Sequence, residues 1–154
     1  MSRIYSAVMD SIAVAAVCEL FFIAAPTDAV VRIHEIKVTQ DDSETSEQLP
    51  LKVFRTATDQ SAKGTAITPY PLSEGDGAFG GTVRSNILTA ATFATEGAMI
   101  IADSENILNG WHILPTPETR IDISPGDYLV IKLDAAPGSS LNISAHVFLE
   151  EIGG

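Results

Sequence analysis

The sequence has very little cysteine. The 154 residues include one cysteine, so no disulfide can form within the chain. Cys18 lies among Val17, Leu20 and Phe21, and its only charged neighbour is Glu19, which does not favour a reactive thiolate. We therefore expect Cys18 to be a small, buried apolar side chain.

Positive charge is also scarce. The chain has 9 lysine and arginine residues against 20 aspartate and glutamate residues, which gives a net charge of −11. Nucleic acids and anionic membranes bind clusters of basic residues, and here the basic residues are scattered singly. The composition therefore argues against a nucleic-acid or membrane partner and is typical of a soluble surface.

No apolar run is long enough to cross a bilayer. The longest candidate, 12–25, has fourteen residues, whereas a spanning helix needs about 20. It follows Asp10 and has only Arg3 upstream, while a secretory signal begins with basic residues. We interpret the run as two adjacent buried strands, at 12–16 and 20–23, that follow a first strand at 4–9.

A helical repeat of apolar residues is missing as well, apart from a turn or two of helix that 87–95 could hold. Short alternating runs between turn residues predict about eight to ten strands instead. The clearest are 121–123, 129–133 and 141–149, each with the one-sided alternation of a half-buried strand. We expect one domain, 1–154, built as an all-β antiparallel sandwich or barrel.

One longer strand, 29–40, changes phase along its length. Its apolar positions share one parity up to Ile33 and the other parity from Ile36 onward. An extra residue in one strand, a β-bulge, produces this shift. We predict a bulge near His34 and Glu35.

A four-residue turn is predicted at Ser124-Pro125-Gly126-Asp127. Pro125 presets its own φ, Gly126 can adopt the positive φ of a type II turn, and Asp127 can bond back to the turn backbone. We interpret Pro125, Gly126 and Asp127 as structural residues.

The segment 58–81 is rich in glycine and proline and has little periodicity. We interpret it as an irregular excursion from the domain. Long excursions of this kind are often functional or bound to a partner. Tyr70, Leu72 and Phe79 are its candidate partner contacts, and the alternative is a loop packed on its own sandwich.

The candidate metal ligands do not match a known spacing. His34, His112 and His146 are far apart in sequence and lack the paired histidines of a cupin. The acidic loop 41–48 gathers four carboxylates, but neither the ligand positions nor the central glycine of a calcium loop is present. We predict no metal site.

Catalytic motifs are likewise missing. No Gly-x-Ser-x-Gly elbow is present. The glycines of 75–80 have the spacing of a phosphate loop, but no strand precedes them, no helix follows, and Glu74 and Asp76 would repel a phosphate. Acidic residues are plentiful, yet nothing distinguishes one pair for glycoside hydrolysis. We predict no catalytic residues, no cofactor and no enzymatic activity.

Segments near both ends of the chain carry a family resemblance. The segments are Ser2-Arg3-Ile4-Tyr5-Ser6-Ala7-Val8, Ala24-Ala25-Pro26-Thr27-Asp28-Ala29, Pro115-Thr116-Pro117-Glu118, Ser124-Pro125-Gly126-Asp127 and Phe148-Leu149-Glu150-Glu151-Ile152-Gly153-Gly154. Together they resemble small proteins of tailed bacteriophages and prophages that decorate or cement the capsid. The likeness covers about half of the residues.

The resemblance implies a jelly roll of about eight strands that assembles as a homotrimer. It also implies synthesis in the host cytoplasm and attachment to the outside of the virion. There the protein would stabilise the shell of the major capsid protein. A mean hydropathy of +0.20 beside a charge of −11 agrees with apolar area hidden between subunits.

Two other classes remain open at this stage. One is a carbohydrate-binding or receptor-binding β-sandwich module of a phage particle, for which Trp111 and three tyrosines offer few aromatic platforms. The other is a cupin-like metal enzyme.

Overall fold

The computed structural model describes residues 2–42 and 46–153, and most of that chain is β-structure. Glu44 of the acidic loop and Gly154 of the C-terminal segment lie outside the described residues. One short 3-10 helix, Ala90–Thr92, falls where a turn of helix is predicted. The strands are β1 (Ser2–Val14), β2 (Cys18–Ala24), β3 (Ala29–Gln40), β4 (Gln48–Thr56), β5 (Thr65–Ile67), β6 (Tyr70–Pro71), β7 (Thr82–Ile87), β8 (Met99–Asn106), β9 (Trp111–Ile113), β10 (Ile121–Ile123), β11 (Tyr128–Leu133) and β12 (Leu141–Gly153).

The strands form two antiparallel sheets. In sheet A the order is β10, β3, β12, β1, β6, and β9 also pairs with β3. In sheet B the order is β5, β7, β2, β11, β4, β8. A single apolar core joins the inner faces, with side chains such as Ile33 and Val147 from sheet A and Phe21 and Leu129 from sheet B. The predicted all-β antiparallel sandwich is confirmed.

Strand β12 follows the predicted alternation closely. Every second side chain from Leu141 to Glu151 is buried, and the side chains between them are partly exposed. One face of the strand therefore fills the core, while the other face belongs to the surface of sheet A.

Strand β11 does not follow the prediction of half burial. All residues from Leu129 to Leu133 are buried. The outer side is covered because Phe93 and Ala94 pack on Val130 together with two phenylalanines of sheet B. The segment 88–97 therefore acts as a cover over the outer face of sheet B.

The first strand is longer than expected. We predicted separate strands at 4–9 and 12–16, but β1 continues to Val14 through an irregularity between Met9 and Ile12. Ser11 has a φ of 46°, and its N–H donates to Ser144 Oγ at 2.9 Å. This anchored bulge lets β1 stay paired with β12.

The bulge predicted in β3 is confirmed. Glu35 lies opposite Phe148 and Ile33 lies opposite Leu149, so His34 is the extra residue.

At the turn before β11, Gly126 has a φ of 78° and the Asp127 N–H donates to the Ser124 carbonyl at 3.0 Å, as a type II turn requires.

The excursion 58–81 contains two short strands, one on each sheet. Strand β5 pairs with β7 of sheet B, and β6 pairs with β1 of sheet A. The excursion therefore crosses one side of the sandwich from sheet to sheet.

No helix among the described residues is long and apolar enough to span a membrane.

Candidate functional site

Two of the predicted partner contacts lie together on sheet A. Tyr70 lies opposite Ser6, and the Leu72 N–H donates to the Ile4 carbonyl at 2.8 Å. Their side chains are 70% and 59% exposed. Pairing with β1 thus places both side chains on the outer face at one edge of the sheet.

Strand β1 adds two exposed apolar side chains that were not predicted. Ile4 is 38% exposed and Val8 is 53% exposed, on the same side of the strand as Ser6. We refer to Ile4, Val8, Tyr70 and Leu72 as the apolar patch. The sequence of β1 is apolar at both parities, so alternation alone could not identify the residues that face solvent.

Phe79, the third predicted contact, lies elsewhere. Its ring packs edge-on against the buried ring of Tyr5, with centroids 5.3 Å apart. The Tyr5 hydroxyl donates to the Gly77 carbonyl at 3.1 Å. Phe79 therefore closes the core beneath the excursion, in line with the loop-packing alternative.

The outer face of sheet A carries paired charges on the side away from β6. Arg32 donates to both carboxylate oxygens of Asp122, at 2.7 and 2.9 Å, and these bonds lower the pKa of Asp122. Burial alone would raise the pKa of Glu150, but hydrogen bonds from Ser2 and His34 lower it below its ordinary value. The outer face thus has an apolar edge beside a network of paired charges.

The three histidines lie on this same sheet. His112 Nε2 and His146 Nε2 lie 3.0 and 3.3 Å from Glu35 Oε1, and His34 Nε2 lies 2.7 Å from Glu150 Oε2. Strands β9 and β12 flank β3, which brings together histidines that are far apart in sequence. In the described parts of the chain, no group of three or more histidine, cysteine, aspartate and glutamate residues could hold a metal ion.

A second polar cluster lies under the cover segment of sheet B. The buried Glu19 accepts a hydrogen bond from the Ala94 N–H at 2.5 Å, and the Gln60 side chain lies 3.5 Å from its other oxygen. Burial raises the pKa of Glu19. The Glu19 carboxyl group is enclosed by these protein donors and anchors segment 88–97.

Two further candidates from the sequence have structural roles. Burial raises the pKa of the Cys18 thiol to about 12, so the thiol is unreactive near neutral pH. In the glycine loop, the Gly80 N–H donates to Glu151 Oε2 at 2.7 Å. The Glu151 carboxylate already accepts the hydrogen bond of this amide, and its negative charge would repel a phosphate.

Aromatic side chains are mostly unavailable as binding platforms. Trp111 is 2% exposed and Tyr5 is buried. Tyr128 is half-buried, beside the ring of Phe22. Of the tryptophan and the three tyrosines, only Tyr70 presents most of its surface to solvent.

Comparisons of the chain with protein-family models, with curated proteins and with solved structures find no match.

Proposed function

We propose that this protein is a structural virion protein that binds the outside of a tailed-phage capsid as a homotrimer. It is made in the host cytoplasm, acts without catalysis, and cements the shell of the major capsid protein. The observation that carries the proposal is the apolar patch, which is exposed on paired strands of a rigid sandwich. The major capsid protein is proposed as the partner because both ends of the chain resemble capsid decoration proteins.

The strand pairing supports the jelly-roll part of the proposal. Early strands pair with late strands in nested order: β1 with β12, β2 with β11, β3 with β10 and β4 with β8. Eight strands nested in this way, in two four-stranded sheets, have the arrangement of a jelly roll. The strands β5, β6 and β7 then belong to an insertion between β4 and β8, and β9 is an additional strand paired with β3.

The apolar patch has the chemistry of a docking surface. Ile4 and Val8 belong to β1, and the backbone that carries Tyr70 and Leu72 is paired with β1, so little backbone freedom is lost when the patch is covered. Covering one large aliphatic side chain contributes about 1.5 to 3 kcal/mol. A trimer would present three copies at once, and multivalency would make the attachment tight even if each contact is modest.

Cosedimentation with empty capsid shells tests the proposal. The shells are assembled from the major capsid protein encoded in the same genome. We expect saturation at a fixed ratio to capsid subunits, and a mass of three times 16.3 kDa by light scattering. Binding without saturation, or a strict monomer that does not associate with shells, would contradict the proposal.

Variants of the patch locate the contact. Leu72→Ser should weaken shell binding about tenfold or more, because one aliphatic side chain is no longer buried in each subunit. Leu108→Ser is the matched control, since Leu108 is also exposed but lies in the turn between β8 and β9. Equal binding by both variants would mean that the patch is not the contact surface.

A further inference from the structure

An open groove lies at the side of the sandwich that the excursion crosses. It has a volume of about 310 Å³ and lies between β1 of sheet A and β5 and β7 of sheet B. This volume is at the lower end of the range of small-molecule sites. Its apolar lining includes Met9 and Ile12, and none of its lining residues is basic.

Two hydroxyl groups that make no side-chain hydrogen bond to a described residue line the groove. Ser85 is 3% exposed, and its side chain makes no hydrogen bond within the described chain. Its oxygen is not fully enclosed, since Arg120 Nε is the one fully enclosed side-chain atom without a partner in the described chain, so a ligand in the groove can reach this hydroxyl. Thr65, which lies opposite Ser85, also lines the groove and likewise has no side-chain partner among the described residues.

An unpaired carboxylate lies on the rim. Asp10 is exposed and makes neither an ion pair nor a side-chain hydrogen bond with any described residue. The other carboxylates on this sheet behave differently, since Glu35, Asp122 and Glu150 all have partners. The Asp10 carboxylate is therefore free to accept hydrogen bonds from a ligand in the groove.

The exposed side chain of Tyr70 completes the rim, and Thr68, which lies between β5 and Tyr70 in sequence, also lines the groove. An aromatic face packs well against the C–H groups of a sugar ring, while carboxylates and hydroxyls bind sugar hydroxyls. A cationic ligand would use Asp10 and Tyr70 but would leave the hydroxyls of the groove unused. An anionic ligand would find no basic side chain and would be repelled by Asp10.

We propose that this groove binds a neutral saccharide. Asp10 and the hydroxyls of Thr65, Thr68 and Ser85 would bind sugar hydroxyls, and the Tyr70 ring would cover the apolar face of the sugar. The inference does not depend on the proposed capsid role. Because Tyr70 also belongs to the apolar patch, the decisive variants are at Asp10 and Ser85, which lie outside that patch.

Saturation-transfer NMR on the full chain tests the site. The probes are D-glucose, D-galactose, N-acetyl-D-glucosamine, maltotriose and chitotriose, each titrated to about 50 mM, which suffices for a Kd in the millimolar range. We expect saturation transfer to at least one sugar, and amide shift changes confined to 8–12, 65–70 and 85. No transfer to any of the five, or shift changes elsewhere in the chain, would overturn the proposal.

Variants with a matched control decide which groups bind. Asp10→Asn and Ser85→Ala should each weaken binding, and Asp10→Asn by about tenfold, because it removes charge-assisted hydrogen bonds. Asp28→Asn changes the same charge at an exposed position at the other end of sheet A and should bind like the parent protein. Thermal unfolding verifies that each variant folds, and unchanged binding by folded Asp10→Asn and Ser85→Ala would overturn the proposal.

Discussion

Glu19 and Lys132 lie opposite each other on β2 and β11, and both are buried although sheet B presents this face outward. Lys132 Nζ lies 3.0 Å from Asp134 and 3.3 Å from Glu96, and it lies over the ring of Phe93 at 5.0 Å. The cover segment 88–97 is thus held on sheet B by a buried polar network as well as by apolar contacts.

Glu19 should make the stability of the protein depend on pH in a defined direction. Burial raises its pKa above the ordinary value of 4.5, so the folded protein holds this proton more tightly than the unfolded chain does. The contribution of Glu19 to the free energy of unfolding is fully present below pH 4.5 and is lost as the pH rises through the pKa of the folded protein. Relative to the parent, Glu19→Gln should therefore gain unfolding free energy as the pH rises from 4 to 8.

Urea unfolding at several pH values measures this difference. Glu74→Gln is the control, because Glu74 is exposed and makes no hydrogen bond or ion pair with a described residue. A difference between parent and Glu19→Gln that stays constant with pH would show that Glu19 titrates alike in the folded and unfolded states.

Asp134 should act in the opposite sense. Burial alone would raise its pKa, but bonds from Lys52 and Lys132 lower it below the ordinary value of 3.8. Its contribution is present above pH 3.8 and is lost as the pH falls through the folded pKa. Asp134→Asn should lose about 1 to 2 kcal/mol of unfolding free energy at pH 7, because the buried Lys132 loses a charged partner.

The loss in Asp134→Asn should shrink in acid. Denaturant unfolding at pH 7 and at pH 3 gives the two differences, and the exposed Asp28→Asn should show neither. An equal loss at both pH values would place the effect in packing rather than in charge.

Gly126→Val should destabilise the protein by about 1 to 2 kcal/mol, which corresponds to roughly 2 to 8 °C in Tm for a chain of this size. The reason is conformational, since Gly126 has a φ of 78° and a Cβ there would meet no atom within 4 Å. Gly75→Val is matched, because Gly75 has equal space and no positive φ. An unchanged Tm in Gly126→Val would refute the turn assignment.

Cys18 should resist thiol reagents in the folded protein. It is buried and its pKa is raised to about 12, so almost no thiolate is present at pH 8. Ellman's reagent should react with the folded chain at the rate of unfolding and at once in guanidinium chloride. Rapid reaction without denaturant would mean that β2 opens locally.

The sequence predicts well what is local to one strand. The parity change in β3 predicts the bulge near His34 and Glu35, where the structure has it, and the alternation of β12 identifies its core face. Both follow from the two-residue period of a strand. The turn at 124–127 is predictable for a similar reason, because Pro125 fixes its own φ and Gly126 permits a positive φ.

Features that depend on long-range pairing were not predictable in this way. Strand β11 is buried on both sides because residues 88–97, distant in sequence, cover it. His112 and His146 meet at Glu35 only because their strands flank β3. The sequence indicates most of the strands, but it does not show their order in the two sheets.

The pairing of β1 with β12 has a consequence during synthesis. Ser2 lies opposite Ile152, so β1 receives β12 as its neighbour only after residues 141–153 have left the ribosome. Until then, the apolar side chains of β1 face water along an open strand edge, where chains on neighbouring ribosomes can pair with them. Folding should therefore be slow, and crowded expression should favour aggregation through β1.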